Sequence, residues 1–165
     1  MTKTWVKQIL VVGLALMGSI AADAFAQATT ATVTVNANVQ KACRFITTTA
    51  TMTIANSGAI IDPATTSDAT GTVNLSYRCS NTTAPAFDID SSGAPLDPKS
   101  RVVTLTGAGN LPATITVTGG GPGTGMGSGQ DKTATVDGLI AYTPDIENAA
   151  VGSYTKDVLI TISAP

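Results

Sequence analysis

Ala31-Thr-Val-Thr-Val-Asn-Ala-Asn-Val39 alternates small apolar residues with polar ones without a break. Side chains of an extended chain point to opposite faces in turn, so Ala31, Val33, Val35, Ala37 and Val39 share one face, and Thr32, Thr34, Asn36 and Asn38 share the other. The segment reads as a β-strand with one apolar side. Further runs keep the same period. Val73, Leu75, Tyr77 and Cys79 fall in phase, as do Phe87 and Ile89, and then Leu111, Ala113, Ile115 and Val117. Tyr154, Val158, Ile160 and Ile162 close the chain in what reads as one long strand. Residues 43–54 place Phe45, Met52 and Ile54 among threonines and add one or two strands. Turn-forming clusters separate the runs: Asn56-Ser57-Gly58, Ser91-Ser92-Gly93, Leu96-Asp97-Pro98 and the stretch from Asn148 to Gly152. No stretch carries a helical period of useful length, so the expected class is all-β, with the strand spacing of a sandwich.

Upstream of the alternating stretch, residues 1–26 have a basic start at Lys3 and Lys7, an apolar run from Ile9 to Ala22, and Ala24 and Ala26 spaced as in a signal-peptide cleavage site. Cleavage is expected before Gln27. The apolar run is shorter than the ~20 residues a spanning helix needs, so no stable membrane insertion of the mature chain is expected. That chain carries seven Lys or Arg and ten Asp or Glu, a net charge of −3. The 165 residues include no His, and the only Trp, Trp5, lies in the leader. Lack of imidazole excludes Ser–His–Asp chemistry and His-ligated zinc. Absence of a basic cluster argues against nucleic-acid binding. No catalytic residue, metal site or cofactor is expected. Export also accounts for the two cysteines, Cys43 and Cys79, because a lone pair in an oxidising compartment closes into a disulfide. Cys79 is in phase with Leu75 and Tyr77, so it faces inward and can staple its strand to the one that starts at Cys43.

Two other features invite a chemical reading. Seven glycines fall within residues 119–129, but the spacing matches neither phosphate-binding motif, and no strand–helix context surrounds it. The tract reads as a flexible surface loop. Asp88 and Asp90 flank Ile89 on one strand face, with Asp97 a short loop away, which offers half of a calcium site or a carboxylate pair. Since Phe87 and Ile89 take the inner face, the carboxylates are expected on a solvated outer one. Lys156 and Asp157 read as a solvated rim. Asn74-Leu-Ser76 and Asn81-Thr-Thr83 match the short glycosylation pattern and carry no function by themselves.

The alternating strand precedes the first cysteine and is followed by the polar break Gln40-Lys41-Ala42. It is either the first strand of its own sandwich or a strand given to a neighbour. A sandwich lacking an edge strand leaves unpaired backbone groups and exposed apolar residues, and an alternating peptide from another subunit satisfies both. Periodicity is the same in the two cases.

The leader, the Ala31–Val39 alternation before Cys43, the run Val73-Asn-Leu-Ser-Tyr-Arg-Cys79 and the ending Gly152-Ser-Tyr-Thr-Lys-Asp-Val-Leu-Ile-Thr-Ile162 together resemble the spore coat protein U family. That family includes pilin subunits of the archaic chaperone-usher class. The resemblance implies a cleaved signal peptide (1–26), an N-terminal donor-strand extension (27–40) and an incomplete immunoglobulin-like sandwich (41–165) completed by a neighbour's strand. Carried onto this chain, it makes Ala31, Val33, Val35, Ala37 and Val39 the groove-filling residues. Tyr154, Val158, Ile160 and Ile162 would line the acceptor groove, and Cys43 with Cys79 would form the stabilising bridge. The implied partners are other copies or related pilin subunits, a periplasmic chaperone and an outer-membrane usher. The implied destination is a fimbria on the cell surface, supporting adhesion and biofilm formation. The alternative is a self-complete secreted or surface coat or binding module on the same sandwich.

Overall fold

The computed structural model describes residues 32–165, so the leader and Ala31 lie outside the described residues. The chain divides between Ala37 and Asn38, and the fold below is that of Asn38–Pro165. Its strands are β1 (Cys43–Phe45), β2 (Ala69–Cys79), β3 (Ala86–Ile89), β4 (Lys99–Gly107), β5 (Asn110–Thr118), β6 (Lys132–Ile140), β7 (Tyr154–Thr155) and β8 (Ile160–Ser163). Six form one antiparallel sheet in the order β1-β2-β6-β5-β4-β7, and β3 and β8 form a second antiparallel pair. The fold is all-β, as the alternation requires. Its one helical element is a single wide turn, Tyr142–Ile146, which places Ile146 in the core and is tied down where Asp68 accepts the Tyr142 N–H at 2.8 Å.

The core draws buried residues from both sheets. Leu75, Tyr77 and Cys79 of β2 are buried, as are Leu111, Ala113, Ile115 and Val117 of β5, while Thr70, Thr72 and Asn74 on the opposite face of β2 are exposed. Phe87 of β3 is fully buried and meets Tyr77 edge-on at 5.9 Å and Phe45 face-on at 6.2 Å. That aromatic cluster joins β1, β2 and β3, and such pairs add about 0.5–1.5 kcal/mol beyond the area they bury. Cys43 and Cys79 stand directly opposite each other in the β1–β2 ladder and form the expected disulfide. The bond links neighbours within the long sheet.

Several expectations need correction. The closing strand is two strands in two sheets: Tyr154 pairs with Gly107 of β4, and the chain then crosses to pair Ile160 and Ile162 with Ile89 and Phe87. Residues 43–54 yield only three residues of strand, with Met52 and Ile54 half-buried beyond them. Ile54 and Met52 rest on β6 at Gly138, where an added β-carbon would come within 2.6 Å of Ile54 Cδ1 and 2.7 Å of Met52 Cε. The glycine tract is not a loose loop. Its backbone is pinned to the disulfide end: Gly123 exchanges hydrogen bonds with Thr82 and Thr83, Gly125 N–H donates to the Cys79 carbonyl, and the Tyr77 hydroxyl donates to the Gly121 carbonyl at 2.7 Å.

Asp88 also departs from expectation. All four residues of β3 are buried, and the Asp88 carboxylate accepts from the Ile89 N–H, the Ser92 N–H and the Ser92 hydroxyl at 2.9–3.0 Å, with the Lys99 ammonium at 3.6 Å. Burial alone would raise its pKa. The Ser92 hydroxyl, the Ile89 and Ser92 N–H groups and the nearby Lys99 outweigh that and hold the carboxyl below its ordinary 3.8. Asp131, bonded by Arg78, is lowered too. A depressed folded-state value contributes stability above the unfolded pKa and loses it as pH falls through the folded value. The melting temperature should therefore hold from neutral pH to about 4 and fall below it. In Asp88→Asn the acid-dependent part of that fall should shrink, as a thermal melt series across pH would record. Asp90 adopts φ +51° and ends the β3–β8 pairing, its carboxylate accepting the Leu159 N–H at 2.8 Å.

Candidate functional site: an unpaired strand edge and an exposed extension

In an antiparallel ladder successive residues turn their backbone groups alternately toward and away from a given neighbour. Phe87 exchanges both backbone hydrogen bonds with Leu96 at 2.8 Å, on the side of β3 away from β8, and Asp90 N–H donates to the Leu159 carbonyl. Phe87 and Ile162 are therefore a pair without mutual hydrogen bonds. It follows that Leu159, Thr161 and Ser163 bond toward β3. Ile160 and Ile162 direct their N–H and C=O groups to the other side of β8. Among the described residues no strand pairs there. β1 lies beside β8 with no ladder between them, and the Lys41 ammonium donates to the Pro165 carbonyl at 2.8 Å.

The side chains along this edge are apolar. Val158, Ile160 and Ile162 are half-buried and packed on the core, as is Phe45 of β1, whereas Leu159 and Thr161 face solvent. Unpaired backbone groups beside a half-exposed apolar row form a template for one more strand, which would bury both at once. Three of the four expected lining residues thus come together. Tyr154 does not join them: it belongs to β7, at the edge of the other sheet, with its hydroxyl donating to the Ala150 carbonyl at 2.6 Å. Phe45 was not among the expected residues, although its place two residues after Cys43, in phase with it, was the available signal.

Of the expected groove-filling residues, Ala31 lies outside the described residues, and Val33, Val35, Ala37 and Val39 lie in a segment with no strand of its own. Residues 32–42 form no ladder, and Val33, Val35 and Val39 are 80%, 84% and 87% exposed, with Ala37 also exposed. The expected period-two strand is therefore not formed within the described residues of this chain. An apolar face has no reason to order as a strand without a partner on which to bury it.

The remaining surface offers little chemistry. Open depressions among the described residues include one of about 350 Å³ beside Asp90, Arg101 and Lys156 and one of about 290 Å³ beside Lys41 and Ser80–Thr83. Arg101 spends its guanidinium on the Ile89 and Asp90 carbonyls at 2.8 and 3.0 Å. Among the described residues no three His, Cys, Asp or Glu gather as metal ligands, and no helix is long and apolar enough to cross a membrane. Comparison with family models, curated proteins and solved structures returned no match for this chain.

Proposed function

We propose that this protein is the structural subunit of a chaperone-usher fimbria, assembled by donor-strand exchange. In this reading the domain is an incomplete immunoglobulin-like sandwich, and its missing strand is the extension of the next subunit. The observation that carries it is complementarity on one chain: an exposed alternating extension, and an unpaired edge on β8 flanked by Val158, Ile160, Ile162 and Phe45. Each supplies what the other lacks. The chemistry is non-catalytic, and because donor and acceptor are different surfaces the contact propagates as a filament instead of closing. A periplasmic chaperone would hold the edge until an outer-membrane usher exchanges it for the extension, and the product would be a surface fimbria for adhesion and biofilm formation.

The deciding experiment compares the exported chain with and without residues 27–40. The full chain should form a concentration-dependent ladder that survives detergent. The truncated chain should be a monomer of low melting temperature, raised by a peptide of residues 28–40 added in trans. A full-length chain that stays a stable monomer, and a truncated one that ignores the peptide, would make it a self-complete coat or binding module instead.

A further inference from the structure

The two ends of the domain differ in charge, each with an exception: Lys156, next to the Thr155–Thr106 pair, lies at the far end, and Asp97, which accepts the Gly119 N–H, lies at the disulfide end. Where β1 begins and β2 ends, beside the disulfide, Lys41, Arg44, Arg78 and Lys132 collect, and Asp131 pairs with Arg78. Where β2 begins and β6 ends, the connections carry Asp62, Asp68, Asp145 and Glu147 without any Lys or Arg. These acidic connections are held together by the Asp68 bond to Tyr142 and by the Asn56 side chain, which bonds the Asp62 and Thr65 carbonyls at 3.1 and 3.2 Å. Arg44 stands directly opposite Arg78 in the β1–β2 ladder. Like charges so placed destabilise a strand pair. Asp131 answers Arg78, but Arg44 is exposed and, among the described residues, has no ion-pair partner. Lys41 reaches only the Pro165 carbonyl. The basic end is short of an anion.

The direction of the chain says which anion would meet it. The extension enters the domain at the basic end, through Lys41, and β8 runs toward that same end, as the Lys41–Pro165 bond shows. A strand added antiparallel to β8 emerges at the acidic end of the receiving copy and passes at once into its own basic end. We infer that a second copy of this chain is the missing partner: Lys41 and Arg44 of one copy meet Asp145 and Glu147 of the next in an ionic head-to-tail contact. The inference takes its polarity from the strand-exchange reading. Parallel addition would bring two basic ends together, so the charge distribution disfavours the wrong register as well as steering the right one. Exposed pairs of this kind act mainly on association rate and are screened by salt.

The test follows assembly of the full exported chain by light scattering at about 20 and about 500 mM salt, either side of the range where screening sets in. Lys41→Glu with Arg44→Glu, and separately Asp145→Lys with Glu147→Lys, should each slow assembly about tenfold at low salt and little at high salt. Mixing the two variants should restore the wild-type rate, because each reversed end then faces its complement. Wild-type rates indifferent to salt, reversals without effect, or a mixture that fails to recover would overturn the contact. The salt series on the wild-type chain decides the matter even if a variant folds poorly. Val35→Asp run alongside separates the two ideas. If it blocks assembly while the reversals are inert, strand exchange stands and the ionic contact falls. If the reversals act and Val35→Asp does not, the ionic contact stands without strand exchange. No assembly of the wild-type chain at either salt defeats both.

Discussion

Val35→Asp should abolish the proposed polymer and leave the monomer as stable as the wild type. Val35 is 84% exposed in a segment without a strand, so the isolated chain has little to lose, and its unfolding free energy should not move beyond the ±0.5 kcal/mol typical of surface changes. On a neighbour's β8 edge the same side chain would sit mid-row among Val33, Val35, Ala37 and Val39. Its burial would contribute about 1.5–3 kcal/mol, and an ionised carboxylate in its place adds a desolvation cost on top. A combined loss of about 4 kcal/mol lowers the exchange equilibrium by roughly a thousandfold, at 1.4 kcal/mol per tenfold. Asn36→Asp adds the same charge one residue further on, but on the face that would remain solvated, and should assemble normally. Unheated gels of the two variants give the comparison directly. A normal ladder from Val35→Asp would remove the extension from the assembly mechanism, and equal loss from both would show that charge, and not the apolar face, was being read.

How much of this was written in the sequence depends on whether a strand's partners enforce its alternation. β2 and β5 are central in the long sheet, with one face on the core and one in water, so Leu75-x-Tyr77-x-Cys79 and Leu111-x-Ala113-x-Ile115-x-Val117 announce themselves. β4 and β6 do not. On β4 the inward phase begins with Lys99 and Arg101, whose charged ends are spent on the Ala94 carbonyl and on the Ile89 and Asp90 carbonyls. On β6 it includes Ala134 and Gly138, which are too small to mark a face, and at Gly138 the absence of a side chain is what admits Ile54 and Met52. β3 is covered on both faces, so alternation misplaces Asp88, and only the bonds from Ser92, Ile89 and Lys99 make its burial tolerable. The closing run misleads in another way: its period continues from Tyr154 to Ile162, but period does not encode a change of sheet. Along the candidate edge the apolar row of Val158, Ile160 and Ile162 was legible. That Ile160 and Ile162 have no backbone partner among the described residues was not, because pairing is a property of the assembled sheets.

The glycine tract shows the same limit from the other side, and it carries the largest expected loss of stability. A run without side chains displays no pattern, yet Gly123 sits where a β-carbon would overlap the Cys79 carbonyl oxygen and lie 2.6 Å from the Cys79 β-carbon. Gly123→Ala must therefore push the tract off the disulfide end. Three backbone bonds hold it there: Thr82 N–H to the Gly123 carbonyl at 2.9 Å, Gly123 N–H to the Thr83 carbonyl at 2.8 Å, and Gly125 N–H to the Cys79 carbonyl at 3.1 Å. Overpacking at a rigid contact costs about 1–3 kcal/mol, and each hydrogen bond given up adds about 0.5–1.5. Losing one or two of them brings the total to about 3 kcal/mol, a large share of the 5–15 kcal/mol available to a domain of this size. The melting temperature should fall by about 10 °C. Gly127→Ala, in the same tract, meets only Gln130 Cγ at 4.0 Å and should change stability by less than about 0.5 kcal/mol. A tract that is merely a spacer would tolerate both substitutions equally. A tract that clamps the Cys79 end of β2 will separate them, and loss of the clamp would also expose the Tyr77 hydroxyl, which now donates to the Gly121 carbonyl. Tyr77 packs edge-on against Phe87, which itself stacks on Phe45 next to the open edge of β8, so loosening the tract should weaken the proposed strand acceptance as well as the fold.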